Sequence, residues 1–79
     1  MTIEDYMNLP YTKVIEEIND ESGHYFFGKI LELDGCQSSG DTVGELNESL
    51  DEAMEGWLYV KLTHGLHIPL PQEQKAVNF

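Results

Sequence analysis

Residues 42–64 read TVGELNESLDEAMEGWLYVKLTH, and their spacing predicts one long amphipathic helix. Thr42 and Glu45 stand at the T-x-x-E separation of a capping box, which places the helix start at Thr42. Glu45, Glu48, Asp51, Glu52 and Glu55 fill the early and middle turns. Lys61 and His64 fall in the last turn, the order of charge that a helix dipole favours. Gly65 follows as the stop signal, with Pro69 just beyond. About 22 residues make roughly six turns, or ~33 Å. Leu46, Leu50, Ala53, Met54, Trp57 and Val60 fall on one stripe, which should cover a sheet. Glu48, Asp51, Glu52 and Glu55 lie on the opposite side. Leu58 and Leu62 sit off the stripe, as candidates for a second contact with the tail or another subunit.

A sheet to receive that stripe is legible upstream. Tyr11–Ile18 is rich in β-branched and aromatic residues and reads as a strand, with Thr12, Val14, Glu16 and Ile18 on one face and Tyr11, Lys13, Ile15 and Glu17 on the other. The turn cluster Asn19–Gly23 leads into a second strand, His24–Leu33, so the two form an antiparallel hairpin. Gly28 inside the second strand points to a bulge or to close approach by another backbone. Tyr25, Phe26 and Phe27 are consecutive, so at least one ring faces away from the helix. After the Asp34–Gly35 turn, Cys36–Ser39 is a short third strand. Before the sheet, Met1–Leu9 holds one helical turn capped by Thr2, with Glu4 and Asp5 in its first turn and Pro10 ending it. After the helix, Ile68-Pro69-Leu70-Pro71 favours extended backbone, and Ala76–Phe79 is an edge strand or a tail. The expected fold is α+β: a β-hairpin and a short third strand under one long helix. Its expected divisions are an N-terminal extension over 1–10, a core domain over 11–71 and a tail over 72–79.

Seventy-nine residues make one domain, and a domain of that size buries roughly 60% of its unfolded surface. With a single cysteine there is no intrachain disulfide, so homo-oligomerisation is the expected extra support. Four lysines, no arginine and fifteen carboxylates give a net charge of −11. That balance repels phosphate backbones and attracts basic partners, so direct nucleic-acid binding is not expected. No apolar run approaches the ~18 residues of a membrane span, and one unpaired cysteine suits a reducing, cytoplasmic setting.

Catalytic constellations are absent from the pattern. Glu16 and Glu17 are adjacent on a strand and point to opposite faces. Glu48, Asp51, Glu52 and Glu55 share a helix face, but two-metal chemistry needs carboxylates converging from separate elements. His64 and His67 are separated by the helix stop and lack further zinc ligands, and His24 opens a strand facing solvent. Cys36 has no neighbouring base in sequence and reads as a small apolar side chain. Ser38, Ser39 and Gly40 match no phosphate-binding loop, and Trp57 reads as core. No enzyme, cofactor or metal site is expected.

The ordered set Leu9-Pro10-Tyr11-Thr12, Gly23-His24-Tyr25-Phe26, Leu33-Asp34-Gly35-Cys36, Gly40-Asp41-Thr42, the acidic helix with Trp57-Leu58, His64-Gly65 and Ile68-Pro69 resembles the N-terminal domain of HicB-type antitoxins. The resemblance covers about Leu9 to Pro71. It implies a partial ribonuclease-H-like fold, often with a fourth strand. It also implies an oligomeric antitoxin that binds and neutralises a small basic mRNA-cleaving toxin of the HicA type. The ribonuclease-H likeness is one of shape, and no catalytic carboxylates are carried over. Many members continue into a DNA-binding segment, for which the residues up to Phe79 leave no room, so DNA binding by this chain is not expected. Tyr25, Phe27, Glu32 and Asp34 are the nominees for the toxin-facing surface. The alternative is an orphan HicB-like adaptor with no toxin.

Overall fold

The computed structural model describes residues 1–71, and the helix predicted from residue 42 onward closes an α+β fold. Among the described residues the elements are α1 (Ile3–Met7), β1 (Lys13–Asp20), β2 (Gly23–Ile30), β3 (Gln37–Gly40) and α2 (Val43–Thr63). The strands form one antiparallel sheet in the order β1-β2-β3. No fourth strand follows α2 within the described residues, and the expected tail over 72–79 lies outside them.

Local chemistry explains the element ends. Thr2 caps α1 with both bonds of a capping box: its hydroxyl accepts from Asp5 N, and its own N–H donates to the Asp5 carboxylate at 2.8 Å. That second bond, with the hydroxyl contact, holds the Asp5 carboxyl below its usual range. At α2 half of the box forms, with Thr42 Oγ1 accepting from Glu45 N at 3.1 Å. The C-terminus is a full Schellman turn. Leu66 N donates to Lys61 O and Gly65 N to Leu62 O, and this requires the φ of +64° that Gly65 adopts without strain.

The strand limits differ from expectation for stated reasons. β1 starts at Lys13 rather than Tyr11, because Tyr11 bends to donate its hydroxyl to Pro69 O at 2.6 Å. It runs on to Asp20 because the turn needs only Glu21 and Ser22, and Asp20 Oδ1 accepts from both Ser22 N and Ser22 Oγ. Those bonds, the hydroxyl contact first, lower the Asp20 pKa. β2 ends at Ile30 rather than Leu33. The chain turns there, with Leu33 N donating to Ile30 O and Cys36 N to Leu33 O. β3 is shifted one residue from expectation, to Gln37–Gly40, and Cys36 is buried instead. Gly28 carries no bulge, since the β1–β2 register is unbroken across it. The close approach is real but comes from side chains: a Cβ there would meet Leu46 and Leu50 methyls at 3.2–3.3 Å.

The core is Ile30, Leu33, Cys36, Leu50, Met54, Leu58 and Ile68, with Ile3, Tyr6, Met7, Tyr11 and Trp57 packed against it. Each fully buried leucine contributes about 1.5–3 kcal/mol. The buried stripe of α2 is Leu46, Leu50, Met54 and Leu58, so it is turned from the predicted one: Leu58 is 0% exposed and Val60 is 51% exposed. The cause is α1 and the segment after α2. Residues of α1 pack on α2, and Ile68 joins the same cluster, which pulls the buried face toward Leu58. Ile3, Tyr6 and Met7 of the N-terminal extension thus pack against the core without being buried in it, while Leu62 stays exposed.

Candidate partner-binding face

Register assigns every strand side chain to a face, because residues directly opposite share one side of an antiparallel sheet. Gly28 meets α2, so Ile15, Lys13 and Glu17 on β1, His24, Phe26 and Ile30 on β2, and Ser38 and Gly40 on β3 lie on the helix side. Val14, Glu16 and Ile18 on β1, Tyr25, Phe27 and Lys29 on β2, and Gln37 and Ser39 on β3 lie on the other. Of the described elements, none packs on that second face. Its centre is apolar: Val14, Ile18, Tyr25 and Phe27 are each half-buried by their neighbours in the sheet. Tyr25 stands directly opposite Ile18, and Phe27 lies between Glu16 and Ser39. Exposed Glu16, Lys29 and Gln37 rim the patch. Aromatic rings within a polar rim are the composition of a recognition surface.

The four nominated residues separate into different roles. Tyr25 and Phe27 do share this open face. Asp34 is exposed in the β2–β3 loop and lines a shallow cleft with Lys29, Gly35 and Gln37, which adjoins the open face at its Lys29–Gln37 edge. Its carbonyl is held from behind: Trp57 Nε1 donates to Asp34 O at 2.8 Å, tying the loop to α2. Lys61 Nζ sits 5.0 Å from the centre of the same indole. Glu32 departs from the expectation. It is buried, and its carboxylate accepts from Thr12 N at 2.9 Å and Thr12 Oγ1 at 3.0 Å. It finishes the β1–β2 ladder where Thr12 lacks a backbone acceptor, which makes it a structural clamp rather than a surface contact. An acid two residues before Asp34-Gly35 gives no sequence sign of this, because Thr12 lies twenty residues away.

Among the described residues no three His, Cys, Asp or Glu side chains converge on a metal position. Glu48, Asp51, Glu52 and Glu55 all face solvent. His24 hydrogen-bonds Glu17 at 2.5 Å and lies 5.3 Å from the Phe26 ring, on the exposed end of the hairpin. Cys36 is 1% exposed, and burial pushes its thiol pKa up, away from nucleophile chemistry. No described helix is long and apolar enough to cross a membrane.

Known proteins resemble this chain in fold or sequence. TTHA0281 from Thermus thermophilus, a solved structure, superposes with a TM-score of 0.69 at 30% identity, over 90% of this chain and 82% of that one. The UPF0150 protein ssr1765 of Synechocystis sp. is 34% identical over 78 residues, 99% of this chain and 92% of its own. The UPF0150-like family model matches residues 5–69, from α1 through β1, β2, β3 and α2 to the Ile68-Pro69 anchor. On that match the chain belongs to the UPF0150-like family, which is related to the HicB-type antitoxins.

Proposed function

We propose that this chain is an antitoxin-like binding protein, not an enzyme, and that its open sheet face covers a small basic mRNA-cleaving toxin of the HicA type. The observation that carries the reading is the apolar group Val14, Ile18, Tyr25 and Phe27, left uncovered by any described element in a chain of net charge −11. The rings supply desolvated contact area, and the acidic surroundings draw in a cationic partner and repel competing RNA. Asp34 and Glu16 stand at the margins of the face, where carboxylates meet lysine or arginine without losing all their water. Membership of a family related to HicB-type antitoxins supports the same class of partner.

The test mixes the purified chain with a HicA-like toxin from the same genome and measures complex formation by calorimetry and RNA cleavage by the toxin. Tight binding with loss of cleavage is expected, and Tyr25→Ala combined with Phe27→Ser should weaken it by about 100-fold, the loss of two central aromatic anchors. Toxin that cleaves RNA undiminished in the presence of excess chain would remove the antitoxin reading. Binding that survives the double substitution would remove the open face as its site.

A further inference from the structure

β1 is an outer strand of the sheet, eight residues long, and its free edge is not packed by any described element. Backbone direction along it is fixed by the ladder to β2. Leu31 N donates to Thr12 O at 2.9 Å, and the register then continues Lys13 against Ile30. Thr12, Val14, Glu16, Ile18 and Asp20 therefore turn their N–H and C=O groups toward β2, and Lys13, Ile15, Glu17 and Asn19 turn theirs outward. The side chains of these outward residues lie on the helix side, yet α2 rests over β2 and β3 and meets β1 through the Lys13 side chain, at Asn47 and Asp51, so that Ile15 is 40% exposed. An edge with free donors and acceptors and an exposed isoleucine at its middle is a template for another strand.

We propose that the strand it takes is β1 of a second copy, antiparallel, about a two-fold axis passing through Ile15. The charge pattern selects both the occupant and the register. With the axis at Ile15, Ile15 lies against its own copy, and Lys13 lies opposite Glu17 twice over, each a pair that exchanges backbone hydrogen bonds. On the open face the same register sets Val14 against Glu16 of the second copy, in line with Lys29 on β2. Moving the axis one residue on sets Glu16 against Glu16, and moving it two sets Glu17 against Glu17. Like charges directly opposite each other oppose pairing. Moving it back toward Lys13 brings lysine against lysine or shortens the paired segment. Among these alternatives, the Ile15 axis alone matches opposite charges on both sides of an apolar centre. Lys13 and Glu17 already have partners at the surface, Lys13 with Asn47 Oδ1 at 3.1 Å and Asp51 Oδ1 at 3.9 Å and Glu17 with His24 at 2.5 Å, so exchanging those contacts across the edge uncovers no fully buried group. The result is one sheet of six strands with an α2 at each end, and both open faces remain on its opposite side. The pairing does not depend on a toxin.

Sedimentation velocity on the full chain, from about 10 to 200 µM, reads the association at about 0.15 M salt, where the Debye length of ~8 Å screens the −11 carried by each copy. A monomer–dimer equilibrium is expected. Lys13→Glu and Glu17→Lys should each weaken it about tenfold or more, and an equimolar mixture of the two variants should recover it, because the mixed pair has opposite charges at both contacts. Ile15→Pro removes an outward N–H and leaves the β1–β2 ladder intact, so it should give a folded monomer by circular dichroism. A wild-type chain that stays monomeric across the range overturns the proposal. So does a dimer indifferent to Lys13→Glu, or a variant mixture that fails to recover.

Discussion

The two faces of the sheet distribute side-chain size in opposite ways. On the covered face the strands contribute Gly28, Ser38 and Gly40 directly beneath α2, flanked by Phe26 and Ile30, and Leu46 and Leu50 of the helix come down onto the glycines. On the open face the strands carry the volume themselves, as Val14, Ile18, Tyr25 and Phe27. Small strand residues let a helix approach to contact distance, and large ones hold it off. An aromatic run on a strand is thus no marker of core in this fold. Gly28 and Gly40 mark the covered face, Tyr25 and Phe27 the open one, and Phe26 between them lies on the helix side.

The largest expected effect tests which part of α2 supplies the covered face. Leu58→Ala should cost about 2–5 kcal/mol, since a fully buried leucine leaves a cavity among Met54, Ile68 and the side chains of α1. Val60→Ala, two residues on, should stay within about 0.5 kcal/mol because Val60 is on the solvent side. Urea unfolding of both variants decides it. A larger loss for Val60→Ala than for Leu58→Ala would mean that the buried stripe is centred where the periodicity first placed it, with α1 and Ile68 contributing little.

A smaller effect probes the closeness that the glycines permit. A Cβ on Gly40 would stand 2.6 Å from Leu46 N and 3.0 Å from Leu46 Cα, so the backbone of α2 itself must move. Gly40→Ala should therefore cost about 2–3 kcal/mol, with a lowered melting temperature. At Gly28 the obstructing atoms are methyl groups at 3.2–3.3 Å, which yield by a rotamer adjustment, and Gly28→Ala should cost about 1 kcal/mol or less. Reversal of this order would show that α2 rides on β2 more tightly than on β3.

Much of this was legible in the residues because it is local. The caps at Thr2 and Thr42, the stop at Gly65, the hairpin and the short third strand each follow from neighbours within a few positions. So did the prediction that one of three consecutive rings must leave the core, which became Tyr25 and Phe27 on the open face. What escaped depends on contacts distant in sequence. Leu58 lies about 120° around α2 from Leu46, and counting apolar residues on the helix alone favours Val60, about 40° the other way. The arrival of α1 and Ile68 reverses that preference. Glu32 read as a surface acid because its partner, Thr12, is brought beside it by the β1–β2 register. Trp57 reaches across to Asp34 O and Tyr11 to Pro69 O by the same route of assembly, with no spacing rule to announce either.

The smallest expected effect on stability carries the most about function. Phe27→Ser exchanges a half-buried ring on the open face for a hydroxyl that water reaches, and no described helix packs over it. The loss should be about 1 kcal/mol or less, part of the value of a fully buried phenylalanine. The melting temperature should shift by a few degrees at most. Association through the β1 edge should be unchanged, because the residue lies on a different strand and on the face away from Ile15. Binding to the proposed toxin should fall at least tenfold, because a ring at the centre of the proposed interface would anchor it. A melt, a sedimentation run and a binding titration on this one variant thus separate three surfaces that share a single sheet. If stability fell by several kcal/mol instead, the open face would be a second core, and the division of labour between glycines and rings would fail.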